Sequence, residues 1–159
     1  MTPRELHDLA TSLARDAGTM ALDGRRRGLT DVATKSTLTD MVTEYDRASE
    51  KLIVDALRTT RPTDAIVGEE GSSVDGSSGI TWCIDPIDGT TNFLYALPNW
   101  AVSIGVADEH GPLAGAVYIA ALDEMFSAIR GQGAWLNGNR ITCSTTTDVA
   151  HALVCTGFS

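Results

Sequence analysis

The sequence predicts an α/β fold of the α+β kind, in which two helices pack on a largely antiparallel sheet. Two observations predict it. Apolar residues recur at helical spacing in two segments before residue 61, and short β-prone segments separated by turn residues dominate from residue 99 onward. Helices that precede a run of strands are typical of a helix layer on one face of such a sheet. A chain of 159 residues is long enough for one domain with a real core.

Both predicted helices have one apolar face. Residues 4–24 form the first, whose apolar side chains lie three or four positions apart: Leu6, Leu9, Leu13, Ala17, Met20 and Ala21. Residues 40–60 contain the second, whose apolar side chains are Ala48, Leu52, Ile53, Ala56 and Leu57. Thr43 and Asp46 have the spacing of a capping box at its start. Arg61-Pro62 is expected to stop this helix, because proline cannot continue it.

The predicted strands are short and lie between turn signals. They cover residues 65–67, 80–84, 100–107, 113–121 and 125–129. Hairpin turns are predicted at 108–111 and at Asn137-Gly138. The Gly/Ser run at 71–79 is predicted to be a connector of low order, with a lid as the alternative, and residues 24–35 are predicted to form a loop or a short strand. Cys83 alternates with apolar residues inside the strand 80–84, which predicts that its side chain packs in the core.

Residues 85–93 read DPIDGTTNF, which places two carboxylates, Asp85 and Asp88, three positions apart. The apolar run before them predicts a buried strand that ends there, and Pro86 and Gly89 predict a sharp turn. Carboxylates are hard oxygen ligands of the kind Mg²⁺ takes together with substrate phosphate oxygens. The glycine and threonines that follow can offer N–H and O–H donors to a phosphate. The segment indicates metal-assisted hydrolysis of a phosphate ester, although Asp-Pro followed by Asp-Gly is also ordinary turn chemistry.

Three more carboxylates stand at predicted strand and helix ends. Glu69 and Glu70 follow the strand 65–67. Adjacent residues of an extended chain point to opposite sides, so only one of the two need face a shared site. The alternative is that both lie on a solvated strand end. Asp46 is sufficiently explained as a capping carboxylate near the positive end of a helix dipole, which leaves a catalytic role open.

Taken in order, these segments resemble the inositol monophosphatase family. That family has Val-Thr-x-x-Asp, then a Glu-Glu pair after a strand, then Asp-Pro-Ile/Leu-Asp-Gly-Thr. The corresponding segments here are residues 42–46, 68–70 and 85–93, and residues 100–105 and 131–138 are similar to the family's later strands. The resemblance extends from the first helix to the last residue. It implies the N-terminal portion of the αβαβα sandwich of the inositol monophosphatase/fructose-1,6-bisphosphatase fold.

The resemblance also implies a Mg²⁺ site. Glu69, Asp85 and the backbone carbonyl of Ile87 would hold one ion. Asp85 would bridge to a second ion, which Asp88 would bind. Paired ions of this kind lower the pKa of bound water and clamp the attacking and leaving oxygens of a displacement. Glu70 would either support these ligands or be an additional metal carboxylate, and Lys35 occupies the position of a family lysine near the metal site.

The remaining residues implied by the resemblance concern the attacking water and the phosphate. Glu69 would help to place a metal-activated water, and Thr90, hydrogen-bonded to Asp46, would orient or deprotonate it. The phosphate would be bound at Gly89, Thr90 and Asp88, with the amides of the first two holding its oxygens. The scheme requires no cysteine or histidine nucleophile.

The implied activity is that of a Mg²⁺-dependent phosphomonoesterase, with myo-inositol monophosphate as the first choice of substrate. Histidinol phosphate, fructose 1,6-bisphosphate and 3′-phosphoadenylate stay open, since sister enzymes share the scaffold. The family takes a third aspartate from a Trp-Asp-x-Ala motif in a C-terminal half, and no Trp-Asp pair occurs here. We therefore expect residues 1–159 to be the N-terminal metal-binding domain of a longer phosphatase. A non-catalytic metal-binding or assembly fragment, and acids that serve only as turns and caps, are the alternatives.

Composition narrows the classes of partner. A formal net charge of −9 argues against nucleic acid or an anionic membrane as the main partner. No apolar stretch is long enough to span a bilayer, and the first residues have no signal-peptide h-region. Three scattered cysteines, Cys83, Cys143 and Cys155, favour reduced thiols in a cytoplasmic protein. The resemblance adds a small-molecule phosphate ester as the expected partner and a homodimer as the expected assembly.

Overall fold

The structure, a computed structural model, describes residues 1–28, 32–34 and 41–154, with the backbone alone for 32–34 and 41–42. In this part of the chain, two long helices lie on one face of an eight-stranded sheet. The predicted fold class is confirmed: the chain is α+β, its long helices precede most of the strands, and its sheet is largely antiparallel.

Helix α1 (Pro3–Arg27) begins at a capping box that the sequence analysis did not single out. The Thr2 side chain accepts a hydrogen bond from the Glu5 amide, and the Glu5 side chain accepts one from the Thr2 amide. The buried face of the helix consists largely of small and aliphatic side chains: Leu6, Ala10, Leu13, Ala14, Ala17 and Ala21. A Cβ added at Gly18 would lie 2.6 Å from the Tyr118 ring, so this glycine lets the helix lie close on the sheet.

Helix α2 (Glu44–Thr60) begins directly after Thr43, within the range 40–60 that the sequence predicts to contain it. Thr43 has an extended backbone, and its side chain accepts hydrogen bonds from the amides of Tyr45 and Asp46, which places the first helical turn after it. The predicted capping box between Thr43 and Asp46 is confirmed. The helix ends at Thr60, before Pro62, as the sequence predicts.

The strands fall into two sheets. In chain order they are β1 (Val32–Thr34), β2 (Met41–Thr43), β3 (Ala65–Gly68), β4 (Ser73–Val74), β5 (Thr81–Asp88), β6 (Ala101–Asp108), β7 (Gly111–Ile119), β8 (Glu124–Ile129), β9 (Gly133–Leu136) and β10 (Asn139–Ile141). β1 and β2 form an antiparallel pair, and the other eight form one sheet in the order β10-β9-β8-β7-β6-β5-β3-β4. Within that sheet only β3 and β5 run parallel.

The two faces of the large sheet differ in burial. On β6, Val102, Ile104 and Val106 are fully buried on the helix side. Cys83 pairs with Gly105, between these residues, and therefore lies on the opposite face, where its side chain is exposed. The prediction that Cys83 packs in the core is wrong, because alternation along a strand gives the period but not which face is covered.

Both predicted hairpin turns are confirmed. Asp108 pairs with Gly111 across a two-residue turn between β6 and β7. Leu136 pairs with Asn139 across the Asn137-Gly138 turn, in which both residues have positive φ.

The Gly/Ser run at 71–79 has more order than the sequence suggests. It contains β4, which pairs with β3, and the amides of Ser77 and Ser78 donate to the carbonyl of Thr63. The Ser78 hydroxyl donates to Asp64 at 2.6 Å. The prediction of low order is wrong because these contacts come from a segment that precedes the run in sequence.

The described residues contain no membrane-spanning helix, and their cysteines are unpaired. No helix in residues 1–28 or 41–154 combines the length and apolar character that crossing a membrane requires. Cys83 and Cys143 are both free thiols, and Cys155 lies outside the described residues.

Candidate metal and phosphate site

The DPIDGTTNF segment is an extended strand followed by a short helix. The sequence predicts a strand end at residue 84, but β5 continues to Asp88, so that boundary is corrected. Asp85 pairs with Ser103 and Asp88 with Ala101, so two residues of β5 stand opposite one of β6. This irregularity accommodates Pro86, which has no N–H for the ladder.

Gly89 makes the predicted sharp turn. Its φ of +85° is in the left-handed region, and helix α3 (Thr90–Leu94) begins at the next residue. A Cβ at this position would lie 3.1 Å from the carbonyl oxygen of Asn99. Glycine therefore suits this position both for its backbone angle and for the space around it.

Asp85 lies among carboxylates on the uncovered face of the sheet. A hydrogen bond links its side chain to Glu69, and Asp88 adds a second negative charge nearby. Partial burial, the hydrogen bond with Glu69 and the charges of Glu69 and Asp88 raise the pKa of Asp85 to about 8. An open depression of about 380 Å³ is lined by Glu69, Asp85, Cys83 and Ser103. A ligand can therefore reach Asp85 from solvent.

The parallel pairing of β3 and β5 brings Glu69 to Asp85. Gly68 stands opposite Ile84, and the amide of Glu69 donates to the carbonyl of Ile84 at 3.0 Å. The end of β3 thus places Glu69 beside Asp85 of the neighbouring strand β5.

The oxygen atoms of the acidic residues supply some, but not all, of the ligands that a hard divalent cation needs. Within the described ranges, no three His, Cys, Asp or Glu side chains are arranged to hold a metal ion by themselves. The Oδ1 atom of Asp85 is buried, and no described residue hydrogen-bonds it. An unsatisfied carboxylate oxygen beside two other carboxylates is the kind of ligand that Mg²⁺ takes, with water and phosphate oxygens completing its shell. The backbone carbonyl of Ile87 accepts a hydrogen bond from the Thr90 hydroxyl at 3.1 Å.

Asp46 has both a structural partner and a partner in the motif. Its Oδ2 atom accepts hydrogen bonds from the amide of Thr43 at 2.7 Å and from the Thr43 hydroxyl at 2.5 Å. Its Oδ1 atom accepts one from the Thr90 hydroxyl at 3.1 Å. Burial raises the pKa of Asp46, and the hydrogen bonds from Thr43 and Thr90 only partly oppose that shift. Asp46 is 1% exposed, and among the described residues it is Thr90 that links its carboxylate to the DPIDGTTNF segment.

The predicted site residues therefore form two groups. Glu69, Asp85 and Asp88 form an acidic group, and Asp46 and Thr90 form a hydrogen-bonded pair. Lys35 lies outside the described residues.

Comparison with known proteins decides the family. The model of the inositol monophosphatase family matches residues 2–159. The chain belongs to this family. The resemblance inferred from the ordered motifs is thereby confirmed.

The curated relatives that are similar to this chain are named Nus factor SuhB. The Nus factor SuhB of Pasteurella multocida is 39% identical over 95% of this chain, and that of Pseudomonas aeruginosa is 42% identical over 95%. In both cases the match covers 57% of the relative. The chain thus spans a little more than half the length of the curated relatives it matches.

Solved structures agree with this assignment. The suhB protein of Bartonella henselae has a TM-score of 0.84 at 33% identity, covering 89% of this chain and 55% of that one. The IMPase of Thermotoga maritima has 0.79 at 36% identity, covering 87% and 53%. The Staphylococcus aureus enzyme SaIMPase-II bound to inositol monophosphate has 0.75 at 32% identity, covering 91% and 52%. The same enzyme has also been solved with 2′AMP.

Two residues that position the family motif were missed by the sequence analysis. The Ser49 hydroxyl donates to the carbonyl of Pro86 at 3.1 Å. The Arg25 guanidinium donates to the carbonyls of Phe93 and Leu94 at 2.8 and 2.9 Å, at the end of α3. Ser49 could have been found, because it lies three residues after Asp46 on the same helix face. Arg25 could not, because its partners are 68 and 69 residues away.

Proposed function

We propose that this chain forms the cation-binding and phosphate-binding part of a Mg²⁺-dependent phosphomonoesterase that hydrolyses a small phosphorylated alcohol. The observation that supports it most is the buried, unsatisfied Oδ1 atom of Asp85 beside Glu69 and Asp88. Burial and like charge oppose the ionised form of this aspartate, and a bound cation reverses that balance. The family match over residues 2–159 points to the same chemistry.

The residues that would hold Mg²⁺ are those of the acidic group. Glu69, Asp85 and the carbonyl of Ile87 would bind one ion, and Asp85 and Asp88 a second. When bound, such ions neutralise charge on the transferring phosphoryl group and lower the pKa of the attacking water. Glu70 and Lys35 are proposed to support this site.

Thr90 and Asp46 would handle the proton of the attacking water. The Thr90 hydroxyl has one hydrogen and two acceptors within 3.1 Å, the Oδ1 atom of Asp46 and the carbonyl of Ile87. Its oxygen can still accept a hydrogen bond from water. As the water attacks phosphorus, Thr90 would take up its proton and pass its own to Asp46, whose raised pKa favours accepting it. The amides of Gly89 and Thr90, with Asp88, would bind the phosphate.

The alcohol part of the substrate is assigned by analogy. SaIMPase-II has been solved with inositol monophosphate and with 2′AMP, so one similar protein binds phosphate esters of different alcohols. We propose myo-inositol monophosphate as the first substrate to test, with histidinol phosphate, fructose 1,6-bisphosphate and 3′-phosphoadenylate as alternatives. A homodimeric, cytoplasmic enzyme is proposed with it, on the family resemblance and the scattered free thiols.

A second candidate function is assembly with a transcription complex, with or without bound metal. The observation that favours it is the name of the curated relatives, which are Nus factors. Because the net charge is −9, the partner would be a protein surface rather than nucleic acid. This candidate predicts Mg²⁺ binding without turnover.

The test is phosphate release from myo-inositol 1-phosphate and from the three alternative esters across a Mg²⁺ titration, with the melting temperature measured in parallel. It compares the wild-type protein with the variant Asp88→Asn. Asp75→Asn, at an exposed position of the 71–79 run, is the matched control. We expect Mg²⁺-dependent release that Asp88→Asn abolishes and Asp75→Asn leaves unchanged. Because Asp88 is exposed, the fold should survive its substitution.

Three outcomes separate the candidates. Near-wild-type turnover in Asp88→Asn would contradict the assignment of Asp88. No turnover on any of the four esters, with Mg²⁺ still raising the melting temperature, would favour the assembly function. No effect of Mg²⁺ on either turnover or melting would mean that the acids serve only as turns and caps.

A further inference from the structure

One face of α2 is directed at the acidic group and at the motif. Asp46, Ser49 and Glu50 lie within about one and a half turns of the helix, and all three are buried. Each contacts a different part of the site: Asp46 reaches Thr90 and Ser49 reaches the carbonyl of Pro86. Glu50 is the residue of the three that the proposed mechanism does not use.

Glu50 binds the turn that follows Glu69. Its Oε2 atom accepts a hydrogen bond from the amide of Glu70 at 2.8 Å, and its Oε1 atom accepts one from the amide of Ser72 at 3.0 Å. The side chain is 3% exposed, so the two amides take the place of solvent for this carboxylate. Both oxygens are engaged and solvent is excluded, so Glu50 is poorly placed to bind a cation directly.

The neighbouring backbone is built around this carboxylate. A Cβ at Gly68 would lie closer to the Oε2 atom of Glu50 than van der Waals contact allows, so the glycine at the end of β3 leaves room for this carboxylate. The amide of Gly68 donates to the carbonyl of Ser72 at 2.7 Å, which closes the turn that contains Glu69 and Glu70. The left-handed Gly71, with φ +103°, completes the turn.

These contacts place Glu69 between two anchors. On one side its own amide donates to the carbonyl of Ile84, next to Asp85. On the other side the amide of Glu70 donates to Glu50. A peptide held at both ends has little freedom to rotate, so the Glu69 side chain is directed to Asp85.

We infer that Glu50 is a positioning residue, a buried carboxylate on α2 that holds the Gly68–Ser72 turn so that Glu69 and Asp85 together bind the cation. This inference rests on the proposed function. A positioning role and a purely structural role of Glu50 predict different effects on Mg²⁺ affinity. A carboxylate that only stabilised the fold would lower the melting temperature and leave the affinity of the folded protein for Mg²⁺ unchanged.

The test measures Mg²⁺ affinity by titration calorimetry on the natural polypeptide, together with phosphate release. Glu50→Ala is compared with Val54→Ala, a control one turn further along α2 at a buried position without polar atoms. We expect Glu50→Ala to raise the Mg²⁺ Kd by about 10–100-fold, as loss of groups that orient metal ligands does elsewhere. Val54→Ala should lower the melting temperature and leave the Kd unchanged.

Two further variants keep the test decisive if Glu50→Ala fails to fold. Glu50→Gln retains one acceptor oxygen and should give a Kd between those of wild type and Glu50→Ala. Gly68→Ala should displace the carboxylate and raise the Kd although residue 50 is unchanged. Faster hydrogen exchange at the amides of Glu70 and Ser72 in the Glu50 variants, and not in Val54→Ala, would locate the change at the turn.

The failure of this inference is distinguishable from the failure of the proposed function. If wild type binds Mg²⁺ and Glu50→Gln, Gly68→Ala and Val54→Ala all share its Kd, the inference is wrong and the proposed function stands. If wild type does not bind Mg²⁺, the proposed function is wrong and this inference falls with it.

Discussion

The Thr90 hydroxyl lies 3.1 Å from the Oδ1 atom of Asp46, a hydrogen bond between two segments 44 residues apart. The other carboxylate oxygen of Asp46 accepts both hydrogen bonds from Thr43 and so caps α2. The capping role and the proposed catalytic role therefore use different oxygens of one carboxylate. Because the cap fixes the orientation of Asp46, the oxygen that faces Thr90 is fixed as well.

The first prediction concerns the hydroxyl of Thr90. Thr90→Ala should lower turnover by about 10²–10⁴-fold, the usual contribution of a positioned acid–base group, because the water then loses its proton acceptor. The Mg²⁺ Kd should stay near that of wild type. Thr90→Ser, which keeps a hydroxyl, should retain most of the activity, and Thr91→Ala at the exposed neighbouring position is the control. An increase in Mg²⁺ Kd that accounted for the lost turnover would contradict the assigned role.

The secondary structure could be predicted where the signal is local. The capping box at Thr43 and Asp46 and the turn at Asn137-Gly138 depend on residues two or three apart, and both are observed. The end of β5 could not be placed, because pairing with β6 continues the strand past Pro86 to Asp88.

Some residues of the candidate site could also be predicted from the sequence, and others could not. Its acids could be found in the sequence because they stand in the order of the inositol monophosphatase family motifs. The residues that hold them are less visible: Glu50 and Arg25 act through backbone amides and carbonyls of distant segments. A backbone partner that is distant in sequence leaves no signature in the residue types, so such contacts emerge only from the fold.

The second prediction concerns the end of α3. Arg25→Ala removes two hydrogen bonds to the carbonyls of Phe93 and Leu94, and should lower the free energy of unfolding by about 1.5–3 kcal/mol. Arg26→Ala is the matched control, because its exposed ion pair with Asp23 should contribute only about 0–1 kcal/mol. Denaturant unfolding measures both. Equal losses in the two variants would mean that Arg25 does not anchor α3.

The third prediction separates backbone strain from crowding at Gly89. Gly89→Ala and Gly131→Ala both place alanine at a positive φ, which costs about 1–2 kcal/mol in each case. At Gly131 no atom lies within 4 Å of the added Cβ, whereas at Gly89 the carbonyl of Asn99 lies at 3.1 Å. Gly89→Ala should therefore be the more destabilising by about 1–3 kcal/mol. It alone should reduce turnover, since it displaces the amides next to the phosphate. Equal stability and activity in the two variants would contradict both expectations.

The fourth prediction is the pH dependence of stability that arises from Asp64. Its side chain is fully buried and accepts hydrogen bonds from Arg61 at 2.7 and 2.8 Å, from Ser78 at 2.6 Å and from Trp82 at 2.9 Å. Burial by itself raises the pKa of Asp64, but the hydrogen bonds from Arg61, Ser78 and Trp82 together outweigh it and hold the pKa below the ordinary value of 3.8. A carboxylate with a lowered pKa stabilises the fold above its unfolded pKa, and this contribution is lost as the pH falls through the folded pKa.

Asp64→Asn tests this directly. At neutral pH it should lower the free energy of unfolding by about 3–5 kcal/mol, because Arg61 is left without its charged partner in a mostly buried position. The difference between wild type and variant should shrink as the pH falls below 3.8, where Asp64 becomes protonated in the unfolded chain and then in the folded one. Urea unfolding at a series of pH values measures the difference, with Asp75→Asn as an exposed control. A difference that stays constant from neutral to strongly acidic pH would show that the charge of Asp64 is not what stabilises the fold.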